Sequence, residues 1–184
     1  MTTVWTVLDS RIDYDQPHYR VRRDRIQLPD GNEIDYWVSV RPHVAVVFAH
    51  TPDDRVLLVE QYKHGAGQVT LELPAGTFPD GEDPILAGAR ELAEETGYRS
   101  AELLELGAMY CDASKNTNLV HILYGHNAQQ VCSPRLDANE VAAGLTVTTV
   151  ARHELSGMIA DGRIRAMSSV AAIYRTLAHL EQRS

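Results

Sequence analysis

The sequence predicts a mixed fold of the α/β (α+β) kind with a small antiparallel sheet ahead of it. Three observations carry this. Apolar and polar residues alternate within the first forty positions. The apolar run "HVAVVFAH" (43–50) is continuous enough for a buried strand, and "RVLLVEQYK" (55–63) follows it as another strand. A capped helical segment at 83–97 lies among strand-like stretches that show neither strict β-α-β alternation nor an internal repeat.

Each element follows from its own residues. Ile34, Tyr36, Val38 and Val40 alternate with polar neighbours, and "LPDGNE" supplies a hairpin turn joining them to a partner strand at Tyr19 to Leu28. The run at 43–50 is apolar on both faces, and the turn "TPDD" separates it from the strand at 55–63. "HGAGQ" (64–68) reads as a strand connection, too short for a phosphate cradle, and "QVTLELPAG" as a strand running into a glycine turn. The helix starts with Asp83 as N-cap and Pro84 at its first position, and stops at Gly97, suited to the left-handed conformation. Strands follow near 102–111 and 118–125, then a polar loop at 133–140, a strand near 144–151 and two helical patterns. The last helix is amphipathic through Val170, Ile173, Tyr174 and Leu177. The expected division is a β lobe at 1–41 and a main domain at 42–184.

Composition narrows the function. The chain of 184 residues can hold one substantial core with a small appended lobe; it is 44% hydrophobic and 23% charged, as globular domains are. A net charge of −8 argues against a broad electrostatic grip on nucleic acid or an anionic membrane, and a phosphate ligand would need metal ions to offset it locally. Cys111 and Cys132 form no CxxC pair, "MTTVWTVLDSRID" has no apolar run after a basic start, and no stretch is apolar enough to span a bilayer. The expected setting is soluble, reducing and cytoplasmic.

The chemistry concentrates in "LPAGTFPDGEDPILAGARELAEETGY" (73–98). At about 100° per residue, taking Glu91 as zero puts Glu94 near −60° and Glu95 near +40°, so three carboxylates share one arc of the helix. Leu86, Ala89, Leu92 and Ala93 fall opposite, as a face to pack on a sheet. Arg90 stands one turn before Glu94, placed for an i, i+4 ion pair. Ala87 and Gly88, one turn before Glu91, are too small to cover the acids. The bland alternative is a solvated acidic face. Against it, glutamates near a helix C-terminus oppose the macrodipole and repel one another, the small residues leave the arc open, and main-chain carbonyls of the preceding glycine turn could join a metal shell. Hard divalent cations favour such an oxygen set, completed by water and substrate phosphates.

At these residues the sequence resembles the Nudix hydrolases, whose signature reads here as Gly76, Glu82, Arg90, Glu91, Leu92, Glu94, Glu95 and Gly97, with Tyr98 in place of the usual aliphatic residue. The resemblance implies a mixed sheet sandwiched between helices, with the signature as loop, helix and loop. It implies that Glu91, Glu94 and Glu95 bind Mg²⁺ or Mn²⁺ with the carbonyl of Ala75 or Gly76 as a further ligand, and that Glu82 and Arg90 form a supporting pair in which Arg90 orients the carboxylates. The implied reaction is attack of a metal-activated water on a diphosphate linkage.

The segments "LLVEQYKHGAG", "LELPAG" and "DGRI" extend the resemblance to the ADP-ribose pyrophosphatase branch, in which a small N-terminal sheet helps build a homodimer that shares substrate between subunits. Lys63 stands where that branch usually has arginine, keeping charge but losing the two-pronged grip on phosphate. Glu72 matches a position on the substrate side, with an ordinary outward strand residue as the alternative. Trp5 and Trp37 fall where the branch stacks the base, with core or interface packing as the alternative. A catalytic glutamate on a loop after the sheet corresponds to Glu140 in "RLDANEVAAG", with Asp137 as substitute. His121 and His126 have no metal-ligand spacing and read as packing or surface residues. One departure bears on substrate: the branch's Ser-Pro-Gly-like turn is replaced by "CDASKNTN", with Asp112, Ala113 and Ser114 in its place. The expected activity is hydrolysis of a nucleoside diphosphate sugar, ADP-ribose first and ADP-glucose or GDP-mannose next. A nucleotide-sensing module without turnover is the alternative of another class.

Overall fold

The structure, a computed structural model, describes residues 4–17 and 19–183. In chain order the elements are β1 (Thr6–Gln16), β2 (Tyr19–Gln27), β3 (Glu33–Val40), β4 (His43–Ala49), β5 (Arg55–Lys63), β6 (Gln68–Glu72), β7 (Ala75–Phe78), α1 (Pro84–Thr96), β8 (Tyr98–Arg99), β9 (Leu103–Tyr110), β10 (Leu119–Gly125), β11 (Gln129–Gln130), α2 (Ala138–Ala142), β12 (Thr146–Ala151), a 3₁₀ turn at Arg152–Glu154, α3 (Leu155–Ala160) and α4 (Met167–Glu181). They fall into two compact units. One comprises Met1–Pro42 with Tyr110–Leu119, the other His43–Met109 with Val120–Ser184.

The first unit is an antiparallel sheet ordered β1-β2-β3. The turn at 28–32 closes with Gly31 N donating to Leu28 O at 2.9 Å, and Gly31 takes the left-handed φ of 89° that a side chain resists. The 110–119 loop binds β3 through Ser39 N to Lys115 O at 2.7 Å and Thr117 N to Ser39 O at 3.1 Å. Asp24 is buried in this sheet. Its carboxylate accepts both Arg22 nitrogens at 2.8 Å and Ser10 Oγ at 2.6 Å, and the Arg22 guanidinium holds it below the usual range. β1 has no clean alternation because register shifts at Val7/Asp9 and Ile12/Tyr14 interrupt its pairing with β2.

The second unit is a mixed α/β fold built around β4. That strand runs parallel to β10 and antiparallel to β7 in a sheet ordered β7-β4-β10-β9, while β12-β5-β6 form an antiparallel sheet beside it. Side chains of β4 alternate between two cores. Val46 and Phe48 pack with Leu58, Ile122, Leu155 and Ile173 under α3 and α4; Ala45, Val47 and Ala49 pack with Leu57, Leu92 and Leu123 under α1. Helices thus cover both faces, which is why the run at 43–49 is apolar without interruption. Burying a leucine such as Leu92 is worth roughly 1.5–3 kcal/mol. In α4, Ile173 is fully buried and Val170 and Leu177 are partly so, but Tyr174 faces solvent; Ala172 and Thr176 fill the seam instead.

The ends of α1 are as the sequence predicts. Asp83 Oδ1 accepts from Ile85 N at 2.7 Å, Pro84 opens the helix, and Gly97 closes it at φ 75° with its N–H on Ala93 O at 3.0 Å. Its buried face differs from the predicted one. Leu86 is 66% exposed and Ala89 is also exposed, while Ala87, Gly88, Leu92 and Ala93 are buried together with Glu91 and Glu95. Ala87 and Gly88 are small because the sheet comes close: a Cβ at Gly88 would overlap Leu123 Cδ1 and lie 3.2 Å from Val47 Cγ2. They do not keep an acidic surface open to solvent. Gly76 is likewise not in a turn but in β7, paired with Ala45 of β4.

Gly88→Ala should therefore destabilise the protein, although alanine favours a helix by about 1 kcal/mol, because overpacking a tight contact costs about 1–3 kcal/mol. Denaturant unfolding should show a lower midpoint; an unchanged or raised one would mean that the contact between α1 and β10 opens freely.

Candidate active site

β7 runs beside the acidic side of α1 and sets the site's geometry. Ala75 N donates to Glu95 Oε2 at 2.9 Å, and a Cβ on Gly76 would overlap the Glu91 carboxylate, so only glycine permits this approach. Arg90 threads between the acids. Its Nη1 lies 2.6 Å from Glu91 Oε1 and 3.4 Å from Glu94 Oε2, and its Nη2 lies 3.7 Å from Glu82 Oε1 and 3.5 Å from the Thr77 carbonyl. One guanidinium thus ties together Glu82, Glu91, Glu94 and β7.

The carboxylates are costly where they lie. Glu91 is 9% exposed and Glu95 only 2%. Burial pushes the Glu95 carboxyl up to about 8; the Ala75 N–H and Lys63 oppose the rise, and the charges of Glu140 and Glu91 add to it. Burial also raises Glu91, against the pull of Arg90, with Glu94 and Glu140 adding repulsion. The structure therefore brings Glu94 and Glu140 within electrostatic reach of Glu91, and Glu91, Glu140 and Lys63 within reach of Glu95. Glu72 belongs to the same neighbourhood: its Oε2 lies 3.8 Å from Lys63 Nζ, and its Oε1 accepts from Thr70 Oγ1 at 2.6 Å.

Glu140 sits on the short helix α2 rather than on a loop. Its Oε2 accepts from Asp137 N at 2.7 Å while Asp137 Oδ1 accepts from Glu140 N at 2.8 Å, a reciprocal capping box spelled by "DANE". Asp137 is thereby occupied as an N-cap. That pattern was readable in the sequence, and it explains why an otherwise exposed five-residue helix forms.

The donor set fits a hard divalent cation. It is all oxygen, two of its carboxylates are buried with incomplete compensation, and a glycine leaves the main chain against them. Among the described residues no three acidic, histidine or cysteine side chains converge closely enough to enclose a metal as they stand. Arg90 occupies one oxygen each of Glu91 and Glu94, and Ala75 N one oxygen of Glu95.

The remaining candidates lie in the first unit. Trp37, on β3, donates Nε1–H to Asp13 Oδ2 at 2.9 Å with the Arg23 guanidinium 5.7 Å from its ring; Trp5 meets Tyr36 edge-on at 5.9 Å. Tyr36 and Trp37 are consecutive strand residues, so the two indoles pack on opposite faces of the sheet. Ser114 is held within its own loop, N and Oγ donating to Asp112 Oδ1 at 2.9 and 2.6 Å, while its carbonyl accepts from Tyr36 OH at 2.5 Å. In the second unit, His121 pairs with Glu105 at 2.7 Å and packs on His43 and Phe78.

The NUDIX domain model matches residues 39–150, a span containing the whole acidic helix and its β7 partner. The chain belongs to this family. The model of the nucleoside diphosphate sugar hydrolase N-terminal domain matches residues 5–40. The Nudix chain is 28% identical over 124 residues to the ADP-ribose pyrophosphatase of Bacillus subtilis (strain 168), covering 67% of each protein. It is 29% identical over 126 residues to the methanol dehydrogenase activator of Bacillus methanolicus, covering 68% of this chain and 64% of that one. The match thus spans about two thirds of the length of these curated relatives. A solved structure described as an ADP compounds hydrolase superposes with a TM-score of 0.84 at 18% identity, over 98% of this chain and 96% of the other, and shares the fold.

The buried acids set a pH dependence for the cation-free protein. Glu95 keeps its proton up to about 8 when folded and loses it near 4.5 when unfolded, so the folded state holds more protons between those values and stability falls as pH rises through them. Asp24, lowered from 3.8, acts only below that window. Urea unfolding in chelator should show this decline, flattened in Glu95→Gln; stability rising across the window would refute it.

Proposed function

We propose that this Nudix protein hydrolyses the diphosphate linkage of a nucleoside diphosphate sugar, with ADP-ribose, cleaved to AMP and ribose 5-phosphate, as the first substrate. The observation that carries this reading is the buried carboxylate set of α1 pressed against Gly76. Glu91, Glu94 and Glu95, with the carbonyl of Ala75 or Gly76, would hold Mg²⁺ or Mn²⁺. Such a cation, when bound, neutralises charge on the diphosphate and polarises its oxygens.

The chain's own groups do the rest. Arg90 holds Glu91 and Glu94 at fixed separation, and Glu82 steadies Arg90 from the loop before the helix. Lys63 supplies a cation toward the substrate phosphates, itself oriented by Glu72. Glu140 takes the proton from water as it attacks phosphorus, a step that requires its carboxylate to leave Asp137 N. The N-terminal lobe, with Trp5 and Trp37, is proposed to form a homodimer that shares substrate. Two exposed free cysteines and the absence of any helix long and apolar enough to cross a membrane among the described residues agree with a reducing cytoplasmic setting. The 112–114 segment, an aspartate-closed turn without proline or glycine, departs from the turn of ADP-ribose-selective members, which leaves ADP-glucose or GDP-mannose as the second reading of substrate.

Product analysis of ADP-ribose, ADP-glucose and GDP-mannose with Mg²⁺ tests the class: one should yield a nucleoside monophosphate and a sugar phosphate, and Glu95→Gln should abolish the product. Saturable binding of these compounds without turnover would instead identify a sensing module. Glu140→Gln separates catalysis from capping, since glutamine preserves the capping box but accepts no proton. It should lower kcat by about 10²–10⁴-fold with an unchanged unfolding midpoint; wild-type kcat would remove Glu140 from the mechanism.

A further inference from the structure

A cavity of about 400 Å³ opens on the flank of α1, lined by Arg90, Arg99, Arg135, Leu92, Ala93 and Leu103 among others, and its lining includes no acidic side chain. Three arginines around one cavity invert the sign of a chain whose net charge is −8. They are not equivalent. Arg90 is occupied by Glu82, Glu91 and Glu94, and Arg135 reaches only Glu94 Oε1, at 3.9 Å, from a largely exposed position. Arg99 has no ion-pair partner among the described residues.

The walls are fixed by the main chain rather than by the arginines. Arg99 lies on β8, paired with Gln129 of β11. Ser100 Oγ donates toward His126 O at 2.7 Å and Glu102 O at 2.9 Å, and Arg135 N donates to Glu94 O at 2.7 Å. Leu92, Ala93 and Leu103, each less than a tenth exposed, form an apolar floor. A preformed cavity of this size, apolar below and cationic at its rim, suits a small organic anion. Guanidinium groups select phosphate by paired hydrogen bonds and stack on planar rings, whereas the floor gives nothing to a bare inorganic ion.

We propose that this cavity, which adjoins the acidic cluster of the catalytic reading across Arg90, is a binding site for a nucleoside monophosphate. The phosphate bridges Arg99 and Arg135, and the nucleoside lies on Leu92, Ala93 and Leu103. Because Arg135 also faces Glu94, an anion on Arg135 competes with that carboxylate, and occupancy is felt at the acidic cluster.

The test uses the full chain in chelator with AMP as the probe, read by calorimetry or equilibrium dialysis, so that turnover plays no part and a catalytically inert protein would still report on it. AMP should bind saturably, and Arg99→Ala, a change at an exposed strand position outside the acidic cluster, should weaken it at least about tenfold, with Arg99→Lys intermediate. Inorganic phosphate should bind at least about tenfold more weakly than AMP. No AMP binding at millimolar concentration, or equal affinity in wild type and Arg99→Ala, overturns the site. Phosphate binding as tightly as AMP overturns the nucleoside assignment.

Discussion

The second unit depends on one close contact: the acidic side of α1 is pressed into β7 and β10 at positions where glycine removes the side chain. Gly88 lets the helix settle on Leu123 and Val47, and Gly76 lets β7 reach Glu91. The contact joins a favourable burial, that of Leu92 and Ala87, to an unfavourable one, that of Glu91 and Glu95. A helix with its carboxyl groups turned to water would be easier to form but would place none of them against a strand backbone.

The rest of that unit holds the contact in place. β4 feeds both cores, so α1 cannot lift from one face without disturbing a strand that α3 and α4 grip from the other. Leu73, just ahead of β7, donates its N–H to Ser169 Oγ of α4 at 3.0 Å, a buried bond that links the strand beside the acids to the far layer. At the helix C-terminus, Gly97 O accepts from Val131 N at 2.9 Å, while Arg135 N reaches Glu94 O, so the segment leading to α2 is tied to the same helix. Glu140 thereby inherits its position from α1 although forty-odd residues of chain separate them.

Much of this was legible in the sequence because it is local. Asp83, Pro84 and Gly97 announce the ends of α1, and the angular spacing of Glu91, Glu94 and Glu95 follows from helix geometry alone. The burial of that arc was not legible. Period-3.6 reasoning assigns apolar residues to the core, and Leu86 and Ala89 satisfied it equally well; only the proximity of Leu123, thirty-five residues on, shows why Gly88 faces inward. Gly76 read as a turn residue for the same reason, since its constraint comes from Glu91 rather than from its own φ. The approach of Lys63 to Glu72 depends on the β5-β6 register, and that of Arg135 to Glu94 on a connection without regular structure; neither leaves a pattern along the chain. "DANE" is different, because its capping pattern was visible and would have placed Glu140 on a helix.

Arg90 carries a consequence for how the molecule comes into being. Many small domains that gather like charges without an internal counter-ion fold only when an outside cation arrives. Here a guanidinium from the same helix already stands among Glu82, Glu91 and Glu94, and a main-chain N–H holds Glu95. The chain thus brings its own counter-charge to these carboxylates, so the fold can close around them without waiting for a cation from outside to offset their mutual repulsion.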